Sequence, residues 1–228
     1  ESLTLKLNIE GCRIAKRAIE KYRAQPDYDG RPLFVAGSIG PSNYVVSSTE
    51  ANLNKGTFGQ IVENFYHQVL GLVEGGADVL LIETQQDILE TKAIIVGANK
   101  AFAEKKKKLP MIVQATVDVF SKMQIFNTDI HAAYTAVSKM GIDVFGINCN
   151  VGPDEMVATV EKLSRFCMHP ISVVPNAGQP ISEDGQTCYK LSPEDMANTM
   201  EPFVREHGVS IVGGCCGTTP AHIKALRE

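Results

Sequence analysis

The chain has 228 residues, 44% hydrophobic and 21% charged, the proportions of an ordinary globular protein with one well-packed core. Its formal net charge of −4 supplies no basic field, so neither nucleic acid nor an anionic membrane is expected as a partner. No run approaches the ~20 apolar residues of a membrane span and the start carries no signal-peptide pattern, so a cytoplasmic location is expected. Six cysteines in a chain of this size fit free thiols in a reducing compartment better than a disulfide scaffold.

Residues 1–24 read as a helix with no strand ahead of it. Thereafter apolar runs rich in β-branched residues alternate with segments of helical period. Strands are expected at 33–38, 79–83, 111–117, 144–149, 171–175 and 210–215. Most are continuously apolar, as parallel strands covered on both faces should be. Between them lie helix starts. Thr57 with Gln60 and Asp87 with Glu90 have capping-box spacing. Ser192-Pro193 and Thr219-Pro220 each place a cap residue before a proline suited to the first turn. Phe58, Ile61, Phe65, Val69 and Leu72 make an apolar stripe over 57–74, and Gly75-Gly76 and Gly141 supply helix stops. The Lys105-Lys106-Lys107-Lys108 run reads as a solvated helix end.

The pattern is one helix followed by six βα units, an α/β protein with right-handed crossovers. An open doubly wound sheet and part of an eight-stranded barrel both satisfy it. Neither GxGxxG nor GxxxxGK[ST] follows any strand, which weakens a nucleotide site.

Cys149 closes one apolar run, and Cys215 with Cys216 closes another between glycines. Three thiols at strand ends can meet in space, and three thiolates form a soft anionic set suited to zinc with a fourth position open. The plainer reading, small core residues, does not fit a vicinal pair before a turn, while Cys12, Cys167 and Cys188 read as packing or surface residues with no assigned chemistry.

Three segments carry a resemblance. They are Gly146-Ile147-Asn148-Cys149-Asn150-Val151-Gly152-Pro153-Asp154-Glu155-Met156, Pro175-Asn176-Ala177-Gly178-Gln179-Pro180, and Gly213-Gly214-Cys215-Cys216-Gly217-Thr218-Thr219-Pro220-Ala221-His222-Ile223. With Ala36-Gly37-Ser38-Ile39-Gly40-Pro41 and Leu80-Leu81-Ile82-Glu83-Thr84, they resemble the homocysteine S-methyltransferase family in order over nearly the whole chain. The likeness is closest to the homocysteine-binding domain of cobalamin-dependent methionine synthases.

That resemblance implies a (β/α)8 TIM-type barrel, here incomplete, with the six strands being the family's third to eighth and residues 1–228 a single domain. The family's Asp-Gly-Ala-type and Thr-Asn-Thr-type opening strands are not matched, so either the molecule is a fragment or a separate chain supplies them as a partner. It also implies the activity: zinc-dependent methyl transfer to homocysteine, giving methionine. The donor would be methylcobalamin carried by a partner module, with corrinoid- and folate-binding modules as partners. Betaine or S-methylmethionine donors, or a non-catalytic zinc- or thiol-binding accessory role, are the alternatives.

Cys149, Cys215 and Cys216 would be the metal ligands and activate the substrate thiol. Glu83 would meet the substrate ammonium, Asn176 would cap the metal or touch substrate, and Ser38 would meet the carboxylate. Asn148 would border the substrate, although backbone positioning explains it more plainly. His222 reads as a helix-start residue rather than a ligand. One stretch departs from the family pattern: Asp118-Val119-Phe120-Ser121-Lys122-Met123-Gln124-Ile125-Phe126 stands where a Ser-Gly-type loop is usual.

Overall fold

A computed structural model describes residues 2–50 and 56–228, so Glu1 of the expected first helix lies outside the described residues. The chain forms two compact units, residues 1–82 with 89–111, and residues 83–88 with 112–228. Among the described residues, six parallel strands and seven helices give the α/β, partial-barrel class expected from the sequence.

In the first unit, α1 (Ser2–Arg23) leads to β1 (Ala36–Ile39), α2 (Phe58–Gly75), β2 (Val79–Gln85, of which 79–82 belong here) and α3 (Ile88–Lys105, from 89 on). β1 and β2 pair in parallel, with Ala36 opposite Val79 and Ile39 opposite Ile82. Ile39, Leu80 and Ile82 are fully buried with Ile61 and Val69 of α2. Thr57 caps α2 through the expected box with Gln60, and Gly76 ends it in the left-handed region at φ 90°. α1 lies against α2 where glycines notch the surface. A Cβ on Gly75 would stand 2.8 Å from the Ile9 backbone, so any larger residue would force these helices apart. Cys12 is buried at this crossing, as its packing role predicts. Asp78 fastens the turn into β2, accepting from the Lys16 ammonium at 2.6 Å and the Val35 amide at 2.7 Å.

In the second unit β3 (Met111–Ala115, from 112 on), β4 (Val144–Asn148), β5 (Ile171–Val174) and β8 (Val209–Val212) lie side by side in parallel. α4 (Ile130–Val137), α5 (Pro153–Phe166), α6 (Pro193–Arg205) and α7 (Pro220–Arg227) are the intervening helices. Val113, Phe145, Ile147 and Val173 build the core on one face. The other face is polar: Gln114, Gly146 and Ser172 stand in register across three strands, and Gln114 donates to Ser172 Oγ at 2.8 Å. Gly146 is needed there, because a Cβ would fall 2.0 Å from the Ser172 carbonyl oxygen.

Strand ends differ from expectation by one to three residues, β1 and β2 running on and β3, β4, β5 and β8 stopping short. α4 stops at Val137, and Gly141 makes the left-handed turn into β4 rather than ending the helix. One element was not expected from the sequence: an exposed antiparallel hairpin, β6 (Ile181–Glu183) with β7 (Gln186–Cys188), inserted between β5 and α6. Among the described residues no helix is long and apolar enough to cross a membrane.

Candidate metal centre

Each cysteine sits where its strand has just ended. Cys149 follows β4 with φ 62° and Asn150 has φ 68°, two successive left-handed residues that swing the chain off the sheet. Such a conformation costs a non-glycine residue free energy and persists where neighbours enforce it. Here the Cys149 amide donates to Val174 O at 3.0 Å and the Val151 amide to Cys149 O at 2.9 Å. After β8 the Cys215 amide donates to Pro175 O at 2.8 Å. The Cys216 amide donates to Asn176 Oδ1 at 3.1 Å, and Ala177 N–H to Cys216 O at 2.9 Å. The ends of β4, β5 and β8 are thus stitched into one platform.

On that platform the three sulfurs converge. Cys149 Sγ is 3.7 Å from Cys216 Sγ, which is 4.0 Å from Cys215 Sγ, and all three lie within 4.8 Å of one another. Zinc–sulfur bonds of ~2.3 Å set at tetrahedral angles require sulfurs about 3.8 Å apart. The spacing therefore fits one tetrahedral metal ion. Burial, then the neighbouring Cys149 thiol, pushes Cys215 up to about 12. Burial also raises Cys149. Bringing three thiolates together here demands a compensating cation, the condition a divalent metal satisfies. Cys216 is exposed, so the cluster opens outward.

The second unit also brings Asn148 and Asn176 to this platform. Asn148 is fully buried. Its Oδ1 accepts from the Thr84 amide and its Nδ2 donates to Thr84 Oγ1, both at 2.8 Å, while Nδ2 stands 4.0 Å from Cys215 Sγ. Thr84 has φ 61°, unusual for a β-branched residue, and Asn148 holds it there. Glu83 immediately precedes that clamp, half-buried. Ser38 lies exposed on β1 of the first unit, opposite Leu81.

His222 is buried as the third residue of α7, where its Nδ1 accepts from the Thr219 amide at 3.1 Å. That bond leaves the ring proton on Nε2, which donates to Leu191 O at 3.0 Å. His222 is therefore a helix-start residue, as expected, and also a tether for the segment after the hairpin.

The atypical 118–126 loop is anchored rather than loose. Met123 is buried, Ser121 Oγ shares a hydrogen bond with Thr159 Oγ1 at 2.8 Å, and Gln124 reaches Asn150 Oδ1 at 2.7 Å. Phe120 is 74% exposed at its tip. A separate hollow of about 510 Å³ between α6, β8 and α7 is lined by Met200, Val204, Val212 and Leu226 and contains no thiol or imidazole.

The homocysteine S-methyltransferase family profile matches residues 1–228. The chain belongs to the homocysteine S-methyltransferase family. It is 37% identical over 220 residues to a methionine synthase of Mycobacterium tuberculosis, covering 96% of this chain and 18% of that protein. A Mycobacterium leprae methionine synthase is 35% identical over 220 residues, covering 96% and 17%. The chain thus spans less than a fifth of these curated relatives. The apo crystal structure of Escherichia coli homocysteine methyltransferase MmuM superposes with a TM-score of 0.75 at 24% identity, over 99% of this chain and 73% of that one. That likeness supports the partial-barrel fold of this family member.

One residue of the platform escaped the sequence reading. Tyr189 follows β7, and its ring lies against Gly217, the residue after Cys216. The Asp184-Gly185 turn, with φ 51° and 77°, is a hairpin signal that points to the strap carrying this tyrosine.

Proposed function

We propose that this domain, residues 1–228, transfers a methyl group to the thiol of homocysteine, giving methionine, with Cys149, Cys215 and Cys216 holding a zinc ion. The observation that carries this reading is the convergence of the three sulfurs within 4.8 Å, in a chain of the homocysteine S-methyltransferase family. A zinc ion held there supplies the positive charge that lets a thiol of ordinary pKa bind as thiolate at neutral pH.

The chain's own residues would do the rest. Three thiolate ligands leave the site anionic, so a bound substrate sulfur keeps its nucleophilicity. Asn176 fixes the Cys216 backbone by accepting from its amide, and would border the incoming substrate. Glu83 would receive the substrate ammonium, and Ser38 with nearby amides the carboxylate. We assign Asn148 to positioning, because both ends of its amide are engaged by Thr84. The sulfur attacks the methyl carbon and the carrier departs with the bonding electron pair.

Similarity to methionine synthases supports methylcobalamin on a partner module as the donor. Corrinoid- and folate-binding modules are then the partners. Six free thiols suit a cytoplasmic location. Metal analysis coupled to a methylcobalamin:homocysteine assay tests the proposal. It predicts about one zinc per chain and methionine formation. Turnover with betaine or S-methylmethionine alone would replace the donor, and zinc without any turnover would favour the accessory role.

A further inference from the structure

We propose that Asn150 is a positioning residue of the metal centre: its side-chain amide locks the turn that aims Cys149 and ties that turn to the 118–126 loop. This rests on the zinc-site reading above, and nothing in the family comparison assigns the residue.

The lock uses both ends of one amide. Asn150 Nδ2 donates to Val117 O at 2.9 Å, and Asn150 Oδ1 accepts from Gln124 Nε2 at 2.7 Å. A carbonyl can only accept, so the Val117 bond decides which end of the Asn150 amide carries the protons and leaves its oxygen for Gln124. Both partners stand on a firm frame. Val117 and Met123 form an antiparallel bridge, as do Lys122 and Asp129. Asp118 Oδ1 accepts from the Phe120 amide at 2.9 Å and from the Lys122 amide at 3.0 Å, and Met123 is buried. The Ser121–Thr159 bond fastens the same loop to α5.

The consequence for the metal follows from the backbone. Cys149 and Asn150 are consecutive residues in the left-handed region, at φ 62° and 68°. That region is unfavourable for a residue with a Cβ, and asparagine tolerates it better than most. Released from it, residue 149 would return to the extended or right-handed region and carry its sulfur away from Cys216 Sγ, which lies 3.7 Å from it. The Cys149 amide, bonded to Val174 O, holds the turn from β5. The Asn150 side chain holds it from the loop. Groups that orient a ligand without touching the ion matter to affinity, and losing one typically weakens metal binding about 10–100-fold. The loop that departs from the family pattern is thereby coupled to a metal ligand: a shift at Val117 or Gln124 moves Asn150, and with it the Cys149 sulfur.

The test is Asn150→Gly in the full 228-residue chain, because glycine accepts φ 68° freely and only the side-chain bonds are lost. A residue that merely favours the turn would be replaced without effect. Cobalt(II) is loaded in place of zinc, and the sulfur-to-cobalt charge-transfer bands are read alongside zinc affinity by chelator competition. The expected result is a shifted charge-transfer band and about tenfold weaker zinc binding. Gln124→Ala, at an exposed position, should move both readouts in the same direction by less. Because Gln124 acts only through Asn150, the double variant should lose no more than Asn150→Gly alone. If Asn150→Gly does not fold, the Gln124→Ala spectrum and affinity decide alone. Parent-like bands and affinity in either single variant, or losses that add in the double variant, overturn the proposal while leaving the zinc site standing. A parent chain that takes up neither cobalt nor zinc overturns the metal reading and this inference with it.

Discussion

The two units share one βα vocabulary and use it to opposite ends. In the first, glycines are notches that let α1 settle on α2, and charge is placed at the rim, as in the Lys16–Asp78 pair. In the second, polar side chains occupy the sheet face beneath the thiols, and backbone strain gathers where strands end. Among the described residues, seven non-glycine residues have positive φ, and of these only Lys106 lies in the first unit. Thr84, Cys149 and Asn150 all border the platform. Packing that serves stability is relaxed; packing that serves a site holds residues in conformations they would not choose.

The contrast can be broken most forcefully at the sulfurs. Cys216→Ala should cut metal affinity at least about a thousandfold, because a ligand-to-metal bond disappears from a three-ligand set. Melting temperature without metal should barely move, since Cys216 is exposed. Chelator competition and calorimetry check the two halves of that statement.

Next comes Gly146→Ala. Its Cβ would sit 2.0 Å from the Ser172 carbonyl, so β4 and β5 must separate, costing about 3 kcal/mol in urea denaturation. Asn148→Ala should cost about 2 kcal/mol by leaving the Thr84 amide without its partner. It should also weaken metal binding, which a purely structural residue in the first unit would not do.

The smallest effect belongs to the rim. Asp78→Asn should cost about 1 kcal/mol, the discount reflecting a pair with side chains 31% and 38% exposed. Burial alone would raise Asp78, but the Lys16 ammonium and Val35 amide outweigh it and hold the carboxyl below its ordinary value. A depressed carboxyl contributes fully above its unfolded pKa of ~3.9 and loses that contribution as pH falls through the folded value. The difference between parent and Asp78→Asn should therefore shrink below about pH 4. Metal affinity should not change in this variant.

Much of this was legible in the sequence because local chemistry and fold agreed. Continuous apolar runs announced buried parallel strands, and Thr57, Ser192 and Thr219 announced helix starts that the structure places there. Cys149, Cys215 and Cys216 were visible as candidates because each closes an apolar run. What was not legible depends on contacts between distant segments. The Asn148–Thr84 clamp joins residues 64 apart in the chain, and no spacing rule encodes it. The hairpin is too short and too exposed to show a hydrophobic period, although its Asp184-Gly185 turn was there to be read. Gly217 looked like a loop residue until a tyrosine was found lying on it.

The central claim is that one ion shared by three sulfurs keeps a place for a fourth. Zinc-edge X-ray absorption on the zinc-loaded chain, before and after homocysteine, measures this directly. The account predicts three sulfur neighbours at ~2.3 Å becoming four when homocysteine is added. A sulfur count that stays constant, or a zinc ion bound without the three cysteines, would contradict it.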